Sequence, residues 1–170
     1  MSPLRPIIRA IDNFTDYSGR ALAWLAVAMA LLTTLVVLLR YGLNMGSIAA
    51  QEAITYMHGT LFTLGAAYTL RHDGHVRVDI FYRRFTPRTR AWINSLGGIV
   101  FLLPLCVFLC GVSWNYVAES WSIRESSPEP GGIPAVFLLK SLLPLMAATL
   151  FLQALAETLR NTELLLRGDR

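Results

Sequence analysis

Three groups of side chains in this 170-residue chain are of types that could do chemistry. Cys106 and Cys110 stand one helical turn apart, the spacing of a thiol pair. His72 and His75, with Asp73 and Asp79 close by, offer the donor types of a metal site. Glu52, His58 and Lys140 lie inside long apolar runs, where an ionisable group needs a reason to be. The thiols fail on their surroundings, because an apolar setting disfavours the thiolate and a quinone-linked thiol oxidase would need exposed pairs. Arg71 and Arg77 sit among the His/Asp group and oppose a bound cation, so a structural or docking use is expected there. His58 is the only histidine within an apolar run, whereas a bis-histidine haem site needs two at matched depth. No nucleophile–base set, phosphate loop or metal-spaced cluster is present. The chain reads as something other than an enzyme.

The remaining charges make sense only in the right medium. Hydrophobic residues make up 54% of the chain and charged ones 15%, with a mean hydropathy of +0.48. Soluble domains carry about 45–50% apolar and about 25% charged residues. This balance excludes an ordinary water-soluble enzyme, and a disordered chain as well. A helix needs roughly 20 apolar residues to cross the hydrocarbon of a bilayer. Four stretches qualify, at 21–39, 48–70, 91–118 and 134–156. The expected fold class is an all-α membrane protein with four transmembrane helices, one domain over residues 1–170. The first stretch exceeds the about 7–15 apolar residues of a signal peptide and ends without a cleavage site, so an uncleaved anchor is expected.

A charge at the centre of a span costs about 2.5–3.5 kcal/mol on insertion scales. Glu52 opens the second span, and Lys140 stands about two turns into the fourth, so the two share a depth. They form an ion pair within the bundle or against a partner, or else Lys140 snorkels outward and Glu52 is wet. Both readings stand on the sequence. Helix packing is signalled by small residues at Ala26 and Ala30, Ala49 and Ala53, Gly65 and Ala67, and Gly97-Gly98.

Arginine distribution sets the orientation. The N-terminal arm holds Arg5, Arg9 and Arg20. The loop after span two holds Arg71, Arg77, Arg83, Arg84, Arg88 and Arg90, and the tail holds Arg160, Arg167 and Arg170. Those segments carry twelve arginines, against Arg40 and Arg124 in the other two loops, so both termini are expected in the cytoplasm. Basic charge wedged between apolar runs points to lipid headgroups rather than nucleic acid. Short interfacial amphipathic helices are expected on the cytoplasmic side. One contains Ile7, Ile8, Ile11 and Phe14, and another, capped by Asp79, covers Ile80–Phe85. Arg83, Arg84, Arg88 and Arg90 then meet lipid phosphates. Thr86-Pro87 reads as the cap and first residue of the helix leading into span three. Pro134 reads as the start of the last helix, after a Pro/Gly-rich outer loop Ser120–Pro134.

Glu52 at the head of span two is followed by the run Leu64-Gly65-Ala66-Ala67-Tyr68-Thr69-Leu70-Arg71-His72-Asp73-Gly74-His75-Val76-Arg77-Val78-Asp79. Ser127-Pro128 and Gly132-Ile133-Pro134 precede the last span. In order and sidedness these motifs resemble the small membrane subunit of tripartite ATP-independent periplasmic (TRAP) transporters, the DctQ-like family, over roughly residues 14–160. Gln51 departs from the family pattern, in which many members have a second acidic residue or an aromatic there. The resemblance implies a bacterial inner-membrane scaffold subunit with no substrate or ion ligands of its own. Its partners would be a large elevator-type membrane subunit, driven by sodium bound only in that subunit, and a periplasmic binding protein that delivers an organic acid, carboxylate or sulfonate. Phospholipids would be further partners, and cofactors are expected to be absent. On this reading Glu52 and Lys140 act at helix contacts near the outer side, and Arg71, His75, Arg77 and Asp79 form a cytoplasmic polar cluster that fixes the exit of span two and meets the large subunit or lipid phosphate. Arg40, Glu119, Arg124, Glu125 and Glu129 face the binding protein. The rival is a stand-alone four-helix antiporter of the small multidrug type, which would place a membrane-embedded Glu in span one, where this chain has no charge.

Overall fold

The computed structural model describes residues 4–75, 79–82 and 84–167, and every described element is helical. Helix α1 runs from Arg5–Leu43, α2 from Ile48–Arg71, α3 from Asp79–Tyr82 and α4 from Pro87–Gly97. A π-helical turn, Gly98–Leu102, joins α4 to α5, Leu103–Ser122, and α6 covers Val136–Arg167.

Local chemistry fixes the ends. Asn44 takes the left-handed conformation (φ 54°) and returns its N–H to Leu39, which stops α1. Such a turn suits Asn, whose short polar side chain tolerates positive φ. The Ser47 hydroxyl accepts the Ala50 N–H at 3.2 Å and starts α2. The Thr86 hydroxyl accepts the Thr89 N–H at 3.2 Å, with Pro87 as the first helical residue of α4, as its sequence signature requires.

Three boundaries depart from expectation. The amphipathic stretch at the N-terminus is not a separate helix but the first part of α1. Nothing in Asp16-Tyr17-Ser18-Gly19 breaks it, because Gly19 is held helical where the Tyr68 ring covers it: a Cβ there would lie 2.0 Å from Tyr68 Cδ2. The described part of the interfacial helix after α2, Asp79–Tyr82, already includes Asp79, and Phe85 lies beyond the helix, so Asp79 is a helical residue rather than its cap. The last helix begins at Val136 rather than Pro134. Ile133 O accepts both the Ser127 and the Ala135 N–H, keeping residues 133–135 in the loop.

Helix α6 is the centre of the molecule. It packs against α1, α2, α4, the π turn and α5, while α1 pairs with α2 along its length. Helices α1, α2 and α6 therefore touch one another mutually, α5 lies on the far side of α6, and α4 lies against α6 at the end that carries Arg5 and Glu163. Ile8 and Val117 apart, the buried side chains among the described residues are small or polar: Ala67, Ala91, Cys106, Ala147, Ala154 and Ala156, beside Asp12, Thr15, Ser95, Ser113, Ser120, Gln153 and Thr158. Large apolar side chains such as Trp24, Leu31, Phe101 and Phe108 point outward. That inversion is the packing expected where the solvent is lipid, since hydrocarbon rewards close backbone approach and polar pairing rather than burial of leucine. Ala26 and Ala30 are exposed, so the small-residue signal in span one does not mark packing within this chain. Gly98 does pack closely, its α-carbon facing the Thr158 hydroxyl.

By length and composition α1, the continuous segment Pro87–Ser122 and α6 are able to cross a membrane. Helix α2 has the length, at 24 residues, but Gln51, Glu52 and His58 dilute its apolar character.

Candidate functional site

Two polar clamps fasten the helices, one at each end. At the end carrying the Ser120–Pro134 loop, Glu52 is the anchor. Its Oε1 accepts the Ser127 hydroxyl and its Oε2 accepts the Ile133 N–H at 2.6 Å, so α2 grips the loop from both sides. Gly132 allows this: a Cβ there would lie 2.4 Å from Ser127 Oγ and 2.7 Å from Glu52 Oε1. Gly131 at φ 82° and Arg124 at φ 47° turn the backbone into position.

Beside it, Glu125 Oε2 accepts from Lys140 Nζ at 2.5 Å and from the Ser120 hydroxyl at 2.6 Å. Lys140 Nζ also lies 4.0 Å from the centre of the Tyr116 ring, a favourable placement for an ammonium. Neither of the two readings left open by the sequence, a Glu52–Lys140 pair or a snorkelling Lys140 with a wet Glu52, is what the structure shows: each charge finds its partner in the loop, which folds over the helix ends and brings Glu125 to Lys140. Lys140, and then Ser120, hold the Glu125 carboxyl below the usual carboxylate range, against a weaker opposing effect of burial. Trp121 ties α5 to α6, its Nε1 donating to Ser141 at 2.8 Å and its ring meeting Phe137 edge-on.

At the other end Asp12 is the hub. Arg160 Nη2 reaches both its oxygens, at 2.9 and 2.7 Å, and Arg71 Nε lies 3.1 Å from Oδ1. Gln153, fully buried, donates to Asp12 Oδ1 at 3.3 Å and accepts from Thr15 at 2.8 Å. One carboxylate on α1 therefore ties down α2 and α6 together. Glu157, one turn earlier on α6, also pairs with the Arg160 guanidinium. Arg5 pairs with Glu163 at 3.3 Å, and His72 Nε2 lies 2.9 Å from Asp16, its ring against Tyr68.

The structure places the other expected residues as follows. Arg71 joins Asp12 rather than a cluster of its own loop. His75 stands at the mouth of an apolar groove of about 500 Å³ between α1, α2 and α6. Arg77 and Arg83 lie outside the described residues, as does the side chain of Asp79. Arg84 and Arg88 are exposed, whereas Arg90 is half-buried, its guanidinium 5.3 Å from the Tyr82 ring and its Nε donating to Phe85 O. Arg40, Glu119, Arg124 and Glu129 are exposed. Glu125 is a correction, for it turns inward to Lys140 instead of facing out.

Asp12, Gln153 and Arg160 were not among the expected site residues. Their signals were present. Gln153 is a lone amide in an otherwise apolar run, and Asp12 shares a helical face with Ile8 and Thr15. Among the described residues no three His, Cys, Asp or Glu side chains come together as a metal site. What the geometry supports is fastening: lipid-facing helices bolted at both ends.

Such an arrangement defines a multi-helix membrane protein. The family model for the DctQ component of tripartite ATP-independent periplasmic transporters matches residues 29–164, and the chain belongs to that family. It is also similar to a protein of Vibrio cholerae serotype O1 described as the C4-dicarboxylate TRAP transporter small permease protein DctQ, with 27% identity over 126 residues. That alignment covers 71% of this chain and 54% of the relative, so the chain spans about half the length of the curated protein it matches.

Proposed function

We propose that this chain is the scaffold subunit of a sodium-coupled TRAP uptake system in a bacterial inner membrane. It broadens and steadies a large elevator-type membrane subunit, and a periplasmic binding protein delivers the organic acid. The observation that carries this reading is the Asp12 hub, which joins α1, α2 and α6 through Arg71, Gln153 and Arg160 at one end while Glu52 and Glu125 lock the other. A subunit that itself moved solute would need to open one end while closing the other, and fixed clamps at both ends oppose that.

On this reading α2 is a fourth span, because hydrogen bonds at its head satisfy the Glu52 carboxylate and its 24 residues reach across about 36 Å at 1.5 Å each. Both termini lie in the cytoplasm, where Arg84, Arg88 and their neighbours meet phospholipid phosphates. Arg40, Glu119, Arg124 and Glu129 face the binding protein. The acid carried is a carboxylate or a sulfonate, and the C4-dicarboxylate named for the Vibrio relative favours the former. Sodium and substrate are bound by the large subunit alone, and this chain uses no cofactor.

Reconstituted uptake tests the proposal. Liposomes with the large subunit and binding protein should take up substrate at least tenfold faster when this chain is included. Solute accumulation in liposomes holding this chain alone would instead favour the stand-alone antiporter.

A further inference from the structure

A cavity of about 290 Å³ opens between the end of α2, the junction of α4 with the π turn, and α6. It lies where these three helices pass from apolar to charged residues. Helix α2 goes from Leu70 to Arg71, α6 goes from Ala156 to Glu157, and Arg90 is the last charge on α4 before an uncharged run to Ala118. A bilayer sets its headgroups at that level. Leu70, Ile93, Leu102 and Ala154 line the apolar part of the cavity. Gly97 and Gly98 keep it open, and a Cβ on Gly97 would meet nothing within 4 Å.

Helix α6 lines the same cavity with Glu157, Thr158 and Asn161, which share one turn of its surface. Each brings an acceptor that nothing among the described residues engages. Glu157 gives Oε1 to Arg160 and keeps Oε2. Asn161 donates its Nδ2 to Glu157 O at 2.8 Å, which leaves its Oδ1. Thr158 is only 6% exposed, and its Oγ1, turned toward Gly98, makes no hydrogen bond among the described residues. A polar group so buried costs free energy until it finds a partner. Three acceptors around one space, one of them a carboxylate oxygen, call for a cation with several N–H donors. A primary ammonium carries three.

We infer that this cavity receives the ethanolamine group of a phosphatidylethanolamine molecule, with its ammonium on Glu157, Thr158 and Asn161. A hard metal ion needs about six or more oxygens around it. Here the acceptors come from one side only, opposite Gly97, Gly98 and Leu102. An ammonium on a carbon stem suits that asymmetry, its N–H groups toward α6 and its carbon toward the apolar wall. A choline headgroup has no N–H and is held by aromatic faces instead. A glycerol headgroup brings no positive charge to Glu157. The inference uses the membrane setting alone, so it and the scaffold role stand or fall separately.

Native mass spectrometry of the full chain, released from micelles holding one lipid at a time, tests the assignment. Dioleoyl phosphatidylethanolamine should bind at least about tenfold tighter than the phosphatidylcholine or phosphatidylglycerol of the same chains, the worth of one charge-assisted hydrogen bond. Gly97→Leu fills the cavity from its open wall and should abolish that preference. Gly42→Leu, at an exposed helical position, should keep it. Both glycines have room for a Cβ, so the fold is not at stake. Thr158→Val should weaken the ethanolamine lipid several-fold and leave phosphatidylglycerol unchanged. Equal affinity for the three lipids, or a preference that survives Gly97→Leu, would overturn the assignment. So would equal binding of the ethanolamine and choline lipids, which would mean that no N–H contact is made. If the native chain shows no preference and carbodiimide couples Glu157 to a lysine of the large subunit, the cavity takes a protein ammonium and the lipid is excluded.

Discussion

At the scale of single residues, the charges in this protein are matched to partners that distance along the chain conceals. Glu125 is the clearest case. Lys140 and Ser120 both bond its Oε2, and they lower its pKa below that of a free carboxylate. An unfolded Glu titrates at about 4.3, so between that value and the lower native one the unfolded chain binds the extra proton. Stability therefore rises with pH through this window. The contribution is fully present above the ordinary carboxylate value and is lost as pH falls through the lowered one. Thermal unfolding in detergent should show a larger fall in Tm from about pH 6 to about pH 3 in the native chain than in Glu125→Gln, which has no carboxylate at that position to titrate. Equal slopes would mean that the Lys140 contact does not hold in solution.

At the scale of elements, hydropathy and capping carried most of the information. The four long helices follow from apolar runs of spanning length, and Thr86 announces its cap. What the sequence could not disclose is which element a polar group addresses. Glu52 and Lys140 share a depth, and pairing them is the shortest inference, but the loop's backbone N–H and Glu125 arrive only when the chain folds back. Asp12 looked like one polar residue of a surface helix because its partners Arg71 and Arg160 lie 59 and 148 positions away. Close helix approach was partly legible. Gly97-Gly98 does mark the crossing with α6, and Gly98 leaves room for the Thr158 hydroxyl, which a Cβ would meet at 2.3 Å. Gly98→Ala should cost about 1–3 kcal/mol by overpacking. Thr158→Ala removes the Oγ1 that collides, and the double variant should recover most of the loss, leaving a coupling of at least about 0.5 kcal/mol in a thermal-unfolding cycle. Purely additive losses would show that α4 and α6 do not cross there.

At the scale of the whole molecule, the proposed scaffold role makes these helices a fixed frame rather than a moving part, and clamps at both ends are what such a frame needs. In the proposed elevator one domain slides past another, and the stationary side must resist the reaction force without deforming. A frame fastened only at one end would splay at the other. Here Asp12, Arg5 and His72 secure the terminal end while Glu52 and Glu125 secure the loop end, and α6 runs between them. Helices that must shift to transmit motion do so by changing packed contacts, so locking a contact discriminates between the two roles. Arg5 and Glu163 approach to 3.3 Å across α1 and α6. Replacing them as Arg5→Cys and Glu163→Cys and joining the thiols with a short bis-maleimide freezes the terminal end in its native arrangement. Uptake by the complete system should stay within about twofold of the uncrosslinked double variant, because a contact that never opens loses nothing when made permanent. A tenfold fall that reverses in single-cysteine controls would mean that α1 and α6 separate during every cycle, and that this subunit moves with the elevator.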